Sequence, residues 1–99
     1  MSSPNIMHQW FKHLFEQRMD TNHYVKCFEC GGLMHENTYK ELSICYSHIL
    51  AKSEYVEHVG NPENIEIVHP DCHNLYTMRP KKAIKQYAKF LQLKNKYYE

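Results

Sequence analysis

The spacing of four thiol and imidazole side chains limits what this chain can become more than any other feature. Cys27 and Cys30 stand two residues apart and lead into Gly31-Gly32, and His69 and Cys72 repeat that pair spacing around Pro70-Asp71. A structural zinc takes four closed ligands of Cys or His type, often delivered as two such short pairs. Two thiolates on a tight turn can share one ion, and the glycines after them let the backbone adopt positive φ and approach the sulfurs. Cys27, Cys30, His69 and Cys72 are therefore the candidate zinc ligands. Cys45 competes with His69 for its place; His69 is preferred because it makes a compact pair with Cys72 where a strand meets a helix. Cys45 then reads as a buried apolar residue.

The length points the same way. The 99 residues make one domain, since domains run to about 100–150 residues, and a small domain with a long irregular middle needs a staple. Disulfides are the other use of four cysteines. No basic segment followed by an apolar one opens the chain, so no secretory leader is expected. No apolar run approaches the ~20 residues of a membrane span. The C-x2-C pair, the two glycines and eight histidines fit a metal in a reducing cytoplasm better than disulfides. A thioredoxin-like use of C-x-x-C needs a βαβ context that this chain is too short to supply.

Along the chain, Ser3 and Pro4 suit a helix N-cap and first position. Met7, Trp10, Phe11 and Leu14, with Phe15, predict an amphipathic helix over 4–19 that packs on the core. Tyr24–Lys26 is an extended lead into Cys27, and His35–Thr38 reads as a polar loop. Leu42–Ser47 alternates and predicts a strand ending near His48, and Ile65–Val68 predicts its return, a hairpin with a long connection through Gly60-Asn61-Pro62. Pro70-Asp71 opens a helix holding Cys72, His73, Leu75 and Tyr76. After Pro80, the apolar residues Ile84, Tyr87, Ala88 and Leu91 predict a second amphipathic helix over 81–96, with Lys81, Lys85 and Lys89 repeating every fourth position. The class is α+β: an N-terminal helix, a core over 25–79 and a basic helical segment over 80–97.

The net charge of +1 is unevenly distributed. From Arg79 onward seven Lys/Arg face one acid, Glu99, whereas five basic residues and ten acids precede Arg79. A lysine stripe on the last helix would supply sequence-neutral phosphate contacts.

His48, Asn64 and His73 remain outside the zinc set. His73 follows a zinc ligand in the first turn of a helix, His48 ends one strand, and Asn64 begins the returning one. A hairpin with a helix laid against it can bring the three together. A neutral imidazole beside a divalent cation can then deprotonate water for attack on a phosphodiester.

With those residues in view, the chain resembles the HNH endonucleases of the ββα-metal type with a treble-clef zinc frame. The matching pieces are Cys27-x2-Cys30, Ser47-His48-Ile49-Leu50, Asn64-Ile65 and Cys72-His73, and the separation of Asn64 from His73 is also the family's; together they cover roughly residues 25–79. The resemblance implies that His48 is the general base, that Asn64 fixes the catalytic loop and helps hold the base or the metal, and that His73 binds a catalytic ion, Mg2+ or a relative. It implies that Cys27, Cys30 and Cys72 bind zinc, with His69 where a cysteine is usual. Lys52, just beyond His48, can reach a phosphate. The implied activity is metal-dependent nicking or cutting of DNA in the cytoplasm of a bacterial or phage-infected cell. Ser47 stands where an Asp or His metal ligand is common. Either His73 holds the ion with Asn64, water and substrate phosphate, or the chain is a zinc-stapled nucleic-acid-binding module that no longer cleaves. A third reading is a protein-interaction adaptor gripping its partner with the basic helix and the Trp10-bearing helix.

Overall fold

Helix α1 (Pro4–Arg18) forms where the sequence places a proline at its start and apolar residues at helical spacing. The computed structural model describes residues 4–98, with side chains from Met7 onward; the predicted cap at Ser3 lies outside the described residues. Phe11, Leu14 and Phe15 of α1 are buried, and Met7 and Trp10 pack at the edge of the same core.

Two short antiparallel sheets receive this helix. Strand β1 (Tyr24–Lys26) pairs with β2 (Leu33–His35), with Val25 opposite Met34. Strand β3 (Tyr46–His48) pairs with β4 (Ile65–Ile67), with Tyr46 opposite Ile67 and His48 opposite Ile65. Val25, Met34, Cys45, Tyr46, Ile65, Ile67 and Val68 close on α1, and Phe11 stacks on Tyr46 with ring centroids 4.6 Å apart. Full burial of a side chain such as Phe15 is worth about 1.5–3 kcal/mol.

Three helices complete the α+β domain: α2 (Glu36–Tyr39), α3 (Pro70–Met78) and α4 (Ile84–Tyr98). Helix α2 and the end of β2 occupy the segment predicted as a loop. The His35 side chain caps α2 by accepting from the Asn37 N–H at 3.1 Å, and Lys40 pairs with Glu36 one turn back. The predicted strand over 42–47 is shorter than expected, because Ser43–Cys45 form a 3-10 turn. That turn sinks Cys45 into the core, where its carbonyl accepts the Val68 N–H at 2.8 Å.

The C-terminal helix also begins later than the periodicity predicts. Pro80–Lys82 form a separate 3-10 turn, and Ala83 has non-helical φ −82° and ψ 79°. Lys81 therefore does not lie on α4. The buried side of α4 differs too: Ile84 and Leu91 are exposed, while Gln86 and Leu93 are buried and Phe90 is half-buried. Leu93 joins Ile49 and Leu50 in a second small core edged by Tyr55 and Phe90. Among the described residues no helix is long and apolar enough to cross a membrane.

Candidate metal centre and the histidine pocket

The turn between β1 and β2 carries Cys27 and Cys30, and the junction of β4 with α3 carries His69 and Cys72. A backbone hydrogen bond from Phe28 N to Ile67 O, 3.0 Å, clamps the two segments together. One ligand atom from each of Cys27, Cys30, His69 and Cys72 lies within 4.8 Å of all the others. The Cys27 and Cys72 sulfurs are 3.8 Å apart, and Cys30 Sγ lies 3.2 Å from His69 Nδ1. A tetrahedral ion with bonds of about 2.3 Å to sulfur requires ligand separations near 3.8 Å, so these four donors can hold a zinc ion. Cys45 is fully buried outside the group, and burial pushes its thiol up to about 11.

The backbone prepares the cluster for negative charge. Cys27 Sγ accepts the N–H groups of Cys30 at 3.5 Å and His69 at 3.3 Å, and Cys30 Sγ accepts that of Gly32 at 3.5 Å. Burial pushes the Cys27 thiol up, but the N–H groups of Cys30, His69 and Glu29 outweigh it and bring the thiol down to about 7. Burial, and then the neighbouring Cys27 charge, push Cys72 up to about 12. A divalent cation among these sulfurs removes their mutual repulsion and lets them ionise together. Two glycines make the approach possible. Gly31 sits at φ +78°, and a side chain on Gly32 would meet the His69 ring at 3.1 Å. Tyr39 meets that ring edge-on, with centroids 5.2 Å apart.

A buried polar network ties this centre to β3 and α4. Glu29, between the two knuckle cysteines, accepts the N–H groups of Lys85 at 3.1 Å and Gln86 at 3.0 Å, so its carboxylate caps the first turn of α4. The Gln86 side chain, with 0% exposure, donates to Glu29 Oε1 at 3.2 Å and to the Cys72 carbonyl at 3.0 Å. Its oxygen accepts from Ser47 Oγ at 2.8 Å. Ser47 therefore faces inward, fully buried and outside the lining of the pocket that holds His48. Neither Glu29 nor Gln86 stands out by spacing. The one available signal was a glutamine on the same stripe as Phe90 and Leu93.

His48 and His73 line one pocket of about 710 Å³. His48 Nε2 lies 3.2 Å from the Val59 carbonyl. A carbonyl only accepts, so Nε2 carries the proton and Nδ1 keeps its lone pair. Burial holds His48 below the ordinary histidine value, and the positive charges of Lys52 and His73 add to that against the Val59 carbonyl. His73 has the converse arrangement: Nδ1 donates to the Ile44 carbonyl at 2.5 Å and leaves Nε2 free. A second-sphere carbonyl of this kind fixes the tautomer of a metal-binding imidazole. Among the described residues no group of three or more His, Cys, Asp or Glu gathers around His73.

Asn64 is fully buried, in the turn that enters β4. Its Oδ1 accepts the Leu50 N–H at 2.6 Å, and its Nδ2 donates to the carbonyls of Leu50 at 3.1 Å and His58 at 3.2 Å. These bonds cross-tie the connection between β3 and β4, the same loop whose Val59 carbonyl orients His48. The Asn64 side chain is thus engaged with backbone, and among the described residues it makes no hydrogen bond to His73.

The predicted phosphate-binding lysines divide into two groups. Lys52 is exposed and lines the pocket. Lys81 and Lys85, with Arg79 and Lys82, are exposed and have no acidic partner among the described residues. Lys89 is different: its ammonium pairs with Glu66 and sits over the Phe28 ring, 5.6 Å from its centroid. Lys96 is likewise bound to Glu63. Comparison with protein-family models, curated proteins and solved structures gives no match for this chain.

Proposed function

We propose that this protein is a small metal-dependent DNA endonuclease of the HNH type, its β3–β4 hairpin and α3 forming a ββα-metal unit on a treble-clef zinc frame. One observation carries the reading. Two histidines line a single pocket in complementary tautomers, His48 with a free Nδ1 and His73 with a free Nε2. Cys27, Cys30, His69 and Cys72 would hold a structural zinc, and α3 carries both the ligand Cys72 and, next to it, His73. A zinc in that cluster therefore sets the position of His73 in the pocket.

In this mechanism His48 Nδ1 takes a proton from water as the water oxygen bonds to phosphorus, and one P–O ester bond breaks. The Val59 carbonyl holds the imidazolium that results, and Asn64 acts as a positioning residue for that loop. His73 Nε2 would hold a divalent ion, which supplies charge stabilisation at the phosphate and leaving oxygen. A single imidazole without a carboxylate favours nickel over magnesium. Lys52, Lys81 and Lys85 supply phosphate contacts.

The test is nicking of supercoiled plasmid by the zinc-loaded protein with magnesium, manganese, nickel or no added metal. Wild-type protein is expected to nick in a metal-dependent way, and His48→Ala to lose about 10²–10⁴-fold in rate. The inward Ser47 favours a second reading, a zinc-stapled DNA-binding module without activity. DNA binding without cleavage under any metal would select it.

A further inference from the structure

We infer that the histidine pocket accepts an unpaired nucleotide, so that the preferred substrate is DNA with a single-stranded segment, loop or flap at the scissile phosphate. The pocket continues past His48 and His73 into a cleft walled by Tyr55, Tyr76, Tyr87 and Phe90. All four rings are half-buried, which leaves part of each facing the cleft or solvent. Tyr87 and Phe90 lie nearly parallel, 21° apart, on the side of α4 that the sequence pattern assigns in part to the core. The Tyr76 hydroxyl donates to the Ile49 carbonyl at 2.5 Å and so has a hydrogen-bond partner away from any ligand.

Such a recess asks for a ligand with two characters. Beside His48, His73 and Lys52, with Glu54 the one acid of the lining, it favours an anionic, reacting group; along the aromatic wall it favours a flat apolar one. An unstacked nucleotide has both, a phosphate and a base. A paired duplex has its bases stacked inside and offers phosphates and groove edges, which do not fill a recess of about 710 Å³. Aromatic side chains bind exposed bases by stacking, with little dependence on sequence. Charge complementarity extends the path: Arg79, Lys81 and Lys82 are exposed on the segment that leads from α3 to α4, Lys85 is exposed in the first turn of α4, and Lys94 lies over the Tyr55 and Phe90 rings at 6.0 and 5.9 Å. The inference rests on the nuclease reading only for the position of the scissile phosphate.

The experiment is fluorescence anisotropy of the zinc-loaded protein, with no magnesium, manganese or nickel added and no chelator present, on labelled DNA of one sequence. The DNA is presented as a single strand, a full duplex and a duplex with a central unpaired loop. Wild-type protein is expected to prefer the single-stranded and looped forms by about 5- to 150-fold, the range of one base–aromatic stack. Tyr87→Ala should abolish that preference while duplex affinity stays unchanged, and Tyr87→Phe should retain it. Thermal unfolding of each variant separates a missing stack from a missing fold. Equal affinity of the wild type for duplex and unpaired DNA, or a preference that survives in a folded Tyr87→Ala, would overturn the inference. Because no cleavage is measured, a preference in a protein that never nicks would sink the nuclease reading alone, and nicking without preference would sink this one alone.

Discussion

At the scale of single residues, the decisive features are which ring nitrogen of each histidine is free and where Ser47 points. Burial keeps His48 below its ordinary value, and the charges of Lys52 and His73 act in the same direction. In the unfolded chain a histidine titrates at about 6.5. With the folded value lower, His48 does not affect stability above that pH, and it weakens the fold as the pH drops below it, because the unfolded chain then binds the proton first. The His48 ring resonances are expected to titrate with a midpoint below about 6.5, so that the neutral base persists through neutral pH. A midpoint above that value would remove His48 from the role of base. The ligand set was legible in the sequence because two C-x2-C-like pairs encode local geometry. The Ser47–Gln86 bond was not, because it joins residues 39 apart in the chain and depends on how α4 docks.

At the scale of elements, α1, the β3–β4 hairpin and the entry into α3 follow from periodicity, proline and the long connection. Of the others, β2, α2 and the 3-10 turns are too short for periodicity to reveal. β1 and β2 have three residues each, and Leu42–Ser47 alternates like a strand although its first half coils into a 3-10 turn. For α4, the repeat of Lys81, Lys85 and Lys89 suggested one basic stripe, but Lys81 lies in the 3-10 turn that Pro80 opens and the non-helical Ala83 separates it from Lys85. Glu66 then claims the third. This divides the lysines by job. Replacing Lys81, Lys82 and Lys85 together with Ala is expected to flatten the salt dependence of DNA binding, by about 0.9 in log–log slope for each phosphate the protein no longer neutralises. Lys89→Ala should leave that slope unchanged and lower stability by up to about 1 kcal/mol. Salt titrations of the two variants measure this directly, and a slope that moves only with Lys89 would reverse the assignment.

At the scale of the whole molecule there are two small cores: α1 packs on the first, which Cys27 and Cys72 of the Cys–His cluster join, and Leu93 of α4 packs in the second. A structural zinc contributes about 10–16 kcal/mol to folding, as much as a domain's entire stability of about 5–15 kcal/mol. The purified chain is expected to carry one zinc per molecule, to unfold on chelation, and to refold when zinc is restored. Cys27→Ser should be unfolded at any temperature. Elemental analysis and far-ultraviolet circular dichroism read both outcomes, and a zinc-free chain that melts like the native one would sink the metal centre. The link from the cluster through the Cys72 carbonyl and Gln86 to Ser47 also has a consequence for how such a chain can evolve. An aspartate at position 47 would set a carboxylate against the Gln86 oxygen. Turning the amide over would instead point that oxygen at the Glu29 carboxylate and the Cys72 carbonyl. Neither single change is neutral, so an acid can arrive before His48 only together with a new partner at position 86. In relatives of this chain an acid at position 47 is therefore expected to come with a residue other than glutamine at position 86.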